Sequence, residues 1–303
     1  MTLSQLRRLR VGVLYGGRSE ESGISRLTGK AVLAALKDSG LKAVGVEADE
    51  KLPEKLRKEK IGYCFIALHG KFGEDGTVQG LCEVMGLPYS GSGVLASAVS
   101  MNKAFSKHLF QLQGIATAPY EVAESVNHSV KIKPPFVVKP VDGGSAIGVT
   151  IVRKVSDAKT AIKTALKYSR SALVEKFVAG IEVTAPVLGE KVLPLIEIVP
   201  KGSFYDFKSK YVKGMSDHII PARLNAKAEE RVRRAALAAH KALDCRAFSR
   251  VDFIVDAKDN PWLLELNSIP GMTETSLFPE AARAAGYSFS EMLLEIIRLS
   301  GRG

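Results

Sequence analysis

Cysteine is scarce in this 303-residue chain: Cys64, Cys82 and Cys245 stand singly, with no Cys-x-x-Cys pair and no histidine at ligand spacing. Three isolated thiols argue against a disulfide framework and against a zinc site, which leaves free thiols. Long apolar runs are also missing. No stretch approaches the roughly 20 residues that a membrane span needs, and the apolar patch VGVLY behind the basic start is too short for a secretory signal core. A cytoplasmic protein with no membrane partner is the expectation. Internal repeats and low-complexity segments are absent, and with 46% hydrophobic and 25% charged residues the composition is that of an ordinary folded chain. Charge of one sign does predominate, at a formal +11. The lysines and arginines nevertheless mix with glutamate, as in AKAEERVRRAALAAHKAL, which is the pattern of solvated helix faces. Without a helix-turn-helix or an aromatic–basic sheet motif, nucleic acid is not the expected partner, and a basic surface serves anionic small substrates such as nucleotides equally well.

What is present is βαβ alternation. VGVLYGG, KAVGVE and GYCFIALHG read as strands around the helix SRLTGKAVLAALKDSG, which argues a parallel sheet with helices packed on it. Thr77 is placed as the N-cap of the next helix. A helical pattern then runs from VLASAVSMNK to QLQGI. A strand, a glycine-rich turn and a strand follow in PPFVVKPVDGGSAIGVTIVRK, then a helix and the strand SALVEKFV. The last third holds strands, a long polar loop, a helix after Asn225, a hairpin and a terminal helix. Length favours two or three domains, with boundaries near 96 and 178.

The hairpin carries the sharpest local signal. PWLLELNSIPGMTETS (261–276) sets a carboxylate and an amide two residues apart at the end of an apolar run. Strand alternation puts Glu265 and Asn267 on one side and Leu264 and Leu266 on the other. With Ala257 to Asn260 as the turn, Asp256 opposes Pro261, Asp252 opposes Glu265 and Arg250 opposes Asn267. Opposed side chains share a face with Cβ atoms about 4.5–5.5 Å apart, and two like charges there repel unless a cation intervenes. Asp252, Glu265 and Asn267 offer only oxygen donors, the preference of Mg²⁺ or Mn²⁺ shared with nucleotide phosphates. A merely wet strand face is the bland reading of the same residues.

FVVKPVDGGSAIGV is neither a Walker loop nor a dinucleotide fingerprint, because a strand rather than a helix follows its glycines. A glycine-rich hairpin can still fold its N–H groups over phosphates, with Lys139 as a point charge beside it. Alone, a plain turn is the simpler reading. In LVEKFVAGIEV, backbone groups could meet a nucleobase and a later carboxylate a ribose; alone, these are surface charges.

Several ordered motifs together resemble one family. LHGKFGEDGTVQGLCEVMGLPYSGSG (68–93), RVDFIVD (250–256) and LLELNSIPGMTETSL (263–277) carry most of the likeness. GGRSEESGIS, MNKAFSK, VVKPVDGGSAIGV, LVEKF and SFYDFKSKY extend it over nearly the whole chain. The chain resembles the D-alanine–D-alanine ligases of the ATP-grasp superfamily. That likeness implies an ATP-grasp fold of the α/β (α+β) class: an N-terminal parallel-sheet domain (1–96), a small central hairpin/helix domain (97–178) and a C-terminal catalytic domain (179–303).

The same resemblance implies roles residue by residue. Lys103 and Lys139 would hold ATP phosphates, and Glu175, Lys176, Phe177, Val178 and Glu182 the adenine and ribose. Asp252, Glu265 and Asn267 would ligate magnesium or manganese, two ions per site. Arg250 and the Gly271 amide would stabilise an oxyanion. Glu21 would fix the ammonium of the first D-alanine and His69 its carboxylate, with Ser145 and Tyr211 as partners of Glu21. Lys210, Ser276 and Leu277 would surround the second D-alanine and the transferred phosphate. The implied reaction is ATP-dependent formation of D-alanyl-D-alanine through an acyl phosphate, for peptidoglycan, by a homodimer. A D-lactate-forming relative, to which Tyr211 is unfavourable, a ligase of other amino acids and a silent nucleotide-binding module are the alternatives. The polar stretch 201–218 is long for a compact domain and reads as a lid that keeps water from the acyl phosphate. Departures from the family pattern stand at Ser22, Gly23, Gly143 and Ala146.

Overall fold

The computed structural model of the protein describes residues 3–201, 215–273 and 276–301. Its first sheet is parallel, with β1 (Arg10–Gly16) between β2 (Lys42–Ala48) and β3 (Tyr63–Ile66). Val11, Val13 and Leu14 of β1 are fully buried, so successive residues on both faces are covered, as in a parallel sheet with helices on either side. Ser22–Asp38 and Leu52–Lys58 are the crossover helices. The βαβ reading is therefore borne out. A six-residue helix, Leu3–Arg8, precedes β1 and is too short to register as a period in the sequence.

The second sheet is antiparallel. It contains β4 (Tyr120–Ala123), β5 (Phe136–Pro140), β6 (Thr150–Val152) and β7 (Ala172–Lys176), in the order β4-β7-β5-β6. The expected hairpin across the glycine-rich turn is present, with Phe136 opposite Val152. Helix Ala158–Ala165 buries Ala158, Ala161, Ile162 and Ala165 against it, the i, i+3, i+4, i+7 stripe of an amphipathic helix.

The third sheet holds β8 (Ile181–Leu188), β9 (Lys191–Val192), β10 (Ile196–Pro200), β11 (Ser216–Ile219), β12 (Phe248–Val255) and β13 (Pro261–Asn267). Its order is β11-β10-β8-β12-β13, with β9 pairing β8. Helix Ala226–Ala242 packs on it, started by Asn225, whose side chain accepts from the Ala228 N–H at 2.9 Å.

Apolar burial also joins the sheets, since Leu188, Ile196, Ile198 and Phe248 of the third sheet lie in the core of the first. The first sheet shares its core with Phe278 and with Leu293, Ile296 and Ile297 of the terminal helix Phe289–Ser300, so the chain's end returns to its beginning. Each such fully buried large side chain stabilises the fold by about 1.5–3 kcal/mol. Among the described residues no helix is long and apolar enough to cross a membrane.

Three local expectations are corrected. Gly76, not Thr77, is the N-cap of helix Thr77–Met85; it sits at φ +90°, where a side chain would be strained, and Asp75 accepts from the Thr77 N–H at 3.0 Å. The helical pattern read over residues 94–115 is two helices, Val94–Met101 and Lys103–Leu112, broken at Asn102, whose side chain caps the second. Part of the stretch 201–218 is not loop: Ser216, Asp217 and His218 lie in β11 and pair with β10. The remainder, including Lys210 and Tyr211, lies outside the described residues.

Candidate active site

A cavity of about 940 Å³ gathers residues of the second and third sheets and of the loops at the C-terminal ends of β1 and β3. Part of its lining is apolar: Val137, Phe177, Val178, Ile181, Ile198, Ile254 and Leu264. The rest carries charge, with Glu21, Lys103, Lys139, Lys176, Glu182, Asp252 and Glu265, and also Arg18 and Lys71 from the loops after β1 and β3. Gly180 lets the chain pass here: a Cβ on it would meet the Val255 carbonyl oxygen at 2.2 Å.

The hairpin register holds at the functional end. Asp252 lies opposite Glu265 and Arg250 opposite Asn267. It holds through two deviations that cancel. The turn is one residue longer than assumed, so Val255 rather than Asp256 opposes Pro261, and a bulge after Asp252 absorbs one residue of β13. Asp256 instead organises the turn. Its carboxylate accepts from the backbone of Lys258 at 2.8 Å and of Asn260 at 3.0 Å, and from the Trp262 indole at 2.9 Å. The bulge also overturns the placing of Leu264. Leu263 and Leu266 are buried on the core side, whereas Leu264 joins Glu265 on the cavity.

Repulsion between the opposed carboxylates is relieved by the protein's own cations. Arg250 grips Asp252 with two bonds, Nε to Oδ1 at 2.9 Å and Nη2 to Oδ2 at 2.8 Å. Lys103 lies 3.7 Å from Glu265. Asn267 donates to Asp252 at 3.3 Å, and the Thr184 hydroxyl of β8 donates to it at 2.5 Å. Like-charge repulsion therefore does not by itself require a metal. The donor set still fits one: two carboxylates and an amide, all oxygen, beside a cationic cavity. Among the described residues no three His, Cys, Asp or Glu side chains cluster to hold an ion alone. Too few ligands for a complete cage is the arrangement of Mg²⁺ bound jointly with phosphate oxygens.

Glu175 sits at the floor, 3% exposed, with Lys139 2.6 Å from Oε1 and Lys107 2.9 Å from Oε2. Burial alone would push its carboxyl up; the two ammonium groups outweigh burial and hold it at about 2. Lys107 is pulled down, by burial first, with Glu175 opposing. The two shifts describe one coupled pair. The folded-state value of Glu175 is depressed, so its contribution to stability is complete above about pH 4.5 and is lost as pH falls toward 2. We expect chemical denaturation to show an acid limb on the order of 3 kcal/mol deep across that window. Glu175→Gln flattens it; an equally deep limb in that variant would contradict the assignment.

Glu21 precedes helix Ser22–Asp38, but its side chain makes no cap bond there. Its Oε1 accepts instead from the Ser145 hydroxyl, which ties the first sheet's loop to the glycine-rich turn. That turn is tightly wound: Gly143, Ser145 and Ala146 all have positive φ. Lys103 donates to the Gly143 carbonyl. At φ +101° glycine is the favoured residue at 143. His69 is buried beside the cavity rather than lining it, with Nε2 3.1 Å from the Thr28 hydroxyl and Nδ1 3.6 Å from Glu74. Gly271, Ser276 and Leu277 also lie off the described lining. Ser276 Oγ accepts from the Thr273 N–H at 3.1 Å and would sit 2.9 Å from a Cβ at Gly271, while Leu277 is in the core. The Lys176 ammonium turns outward to the Lys133 carbonyl at 3.1 Å.

Sequence reasoning missed Lys107, Thr184 and Leu264. Lys107 had a signal, since it follows Lys103 by four residues on one helix face. The other two had none, because cross-strand register and bulges are tertiary facts.

Comparison with known proteins identifies the family. The family described as D-ala D-ala ligase N-terminus matches residues 45–92, and D-ala D-ala ligase C-terminus matches residues 105–298. A D-alanine–D-alanine ligase of Geotalea uraniireducens is 46% identical over 98% of this chain and 97% of its own. One from Pelotomaculum thermopropionicum is 46% identical over 96% of each chain. The crystal structure of a Bacillus anthracis D-alanine–D-alanine ligase complexed with ATP superposes with a TM-score of 0.86 at 34% identity, covering 97% of this chain and 98% of that one.

Proposed function

The chain belongs to the D-alanine–D-alanine ligase family, and from that membership and the cavity we propose that it joins two D-alanines at the expense of ATP. The observation that carries the reading is a single cavity where Lys103 lies 3.7 Å from Glu265 while Lys139 and Asp252 share the lining with an apolar slot.

In this reading the slot of Val137, Phe177, Val178, Ile181 and Leu264 takes the adenine, with strand backbone supplying its polar contacts and Glu182 the ribose partner. Lys103 and Lys139 neutralise the phosphates. Asp252, Glu265 and Asn267 hold Mg²⁺ or Mn²⁺, two ions in the full proposal, and the bound metal supplies charge neutralisation on the transferring phosphoryl group. Glu21, oriented by Ser145, holds the ammonium of the first D-alanine, with His69 near its carboxylate. A carboxylate oxygen of that D-alanine attacks the γ-phosphorus, the bond to the β-phosphate oxygen breaks, and ADP leaves. The amine of the second D-alanine, beside Ser276 and Leu277, attacks the acyl carbon. Arg250, fixed by its two bonds to Asp252, and the Gly271 amide stabilise the oxyanion. Inorganic phosphate then departs with the former carboxylate oxygen, and the amine loses its proton.

Supply of the dipeptide for peptidoglycan, a cytoplasmic site of action and a homodimer belong to the same proposal. So does the division into domains 1–96, 97–178 and 179–303, which is supported by the three sheets each falling within one of them. The test is chromatography of products from Mg-ATP and D-alanine alone, with arms containing L-alanine and D-lactate plus D-alanine. D-alanyl-D-alanine in the first arm is expected. Turnover only in the D-lactate arm would replace the acceptor, and turnover in none would reject the ligase reading.

A further inference from the structure

Lys107 takes part in none of these steps, yet it is one of the most deeply buried charges in the molecule, 1% exposed. It does not line the cavity; Glu175 and Lys139 do. Glu175 divides its two oxygens between the two lysines, Oε2 at 2.9 Å from Lys107 and Oε1 at 2.6 Å from Lys139. The Lys107 ammonium also donates to the Thr117 hydroxyl and lies 3.5 Å from the Leu263 carbonyl of β13. It therefore stands where the second and third sheets meet. A methionine would fill similar space without the desolvation cost of a buried cation. What methionine cannot supply is charge. With Lys107 present the three groups carry one net positive charge; without it, Glu175 and Lys139 cancel.

We propose that Lys107 is a positioning residue that neutralises Glu175 from behind, leaving the charge of Lys139 for the nucleotide phosphates. The inference rests on the nucleotide reading of the cavity and adds to it a residue that governs phosphate affinity without touching phosphate. It differs from a packing role in one respect. A packing role affects every ligand of the cavity, whereas a counter-charge affects only ligands with phosphates, and it becomes dispensable once the charge it neutralises is removed.

Titration calorimetry with MgADP and, separately, adenosine tests this on the full chain. Lys107→Met weakens MgADP binding by about tenfold to a hundredfold, the scale of one charge at short range in a partly screened site. Adenosine binding stays within about twofold, roughly a third of that effect or less on a free-energy scale. The double variant Lys107→Met/Glu175→Gln, which again leaves one net positive charge, recovers most of the loss. Equal losses for MgADP and adenosine, or a double variant no better than the single one, overturn the proposal. Should Lys107→Met fail to fold, Glu175→Gln decides: it leaves both lysines without their counter-charge, so tighter MgADP binding is expected and unchanged or weaker binding overturns the idea. A parent protein that binds neither ligand overturns the nucleotide reading itself, and this inference with it.

Discussion

Asp252→Ala lowers dipeptide formation by about a thousandfold or more, because one substitution removes the proposed metal ligand and the clamp on Arg250. Asp252 accepts from Arg250 twice, from Thr184 and from Asn267, so its loss leaves a half-buried guanidinium without its bidentate partner. Breaking such a pair from one side costs about 3–5 kcal/mol where burial is complete, and less here, where Arg250 retains some solvent. Thermal melts of Asp252→Ala and Asp252→Asn separate the two effects. The asparagine variant keeps most of the stability and little of the turnover. Turnover within tenfold of the parent in either variant would remove Asp252 from the chemistry.

Arg250→Met is expected to lower kcat by about a hundredfold to a thousandfold, the range seen when one oxyanion donor is removed. The KM for ATP should change little, since the role proposed for Arg250 lies in the second half-reaction. Arg250→Lys does not restore the rate, because an ammonium cannot reproduce the planar two-bond grip on Asp252. A fully active lysine variant would show that only charge is needed at this position. Steady-state phosphate release at saturating D-alanine distinguishes these outcomes.

Much of this was legible in the sequence, for identifiable reasons. Runs such as VGVLY and YCFI advertise buried parallel strands because every residue in them must tolerate burial. The ELN pair advertises a polar face because its partner strand carries Asp252 and Arg250 at matching intervals. The register came out right by compensation: a turn one residue longer than assumed was offset by the bulge that turns Leu264 into the cavity. Neither deviation leaves a mark in composition, since Asp256 builds the longer turn with side-chain bonds that many turn sequences could make. Asn102 was harder to read as a break, because apolar spacing continues across it and only its capping bonds end one helix and begin the next. Least legible was the return of the terminal helix to the first sheet, with Ile296 and Ile297 packed in the same core as Val11 and Val13. Amphipathic spacing says that such a helix packs on something; it does not say on what.

The site divides the same way. Residue types at Lys139, Asp252 and Glu265 announce their chemistry, and the cavity brings them together. Lys107 does not announce its environment. A lysine four residues after another looks like a solvated helix face until the fold buries one of the two against Glu175.

The central claim is that ATP activates a D-alanine carboxylate by phosphorylating it. The measurement that tests it most directly uses D-alanine labelled with ¹⁸O in its carboxylate, with Mg-ATP, followed by mass spectrometry of the phosphate products. The account predicts ADP and inorganic phosphate, with one labelled oxygen carried into the phosphate for each dipeptide made. Labelled AMP with release of pyrophosphate, or unlabelled phosphate alongside dipeptide, would contradict it.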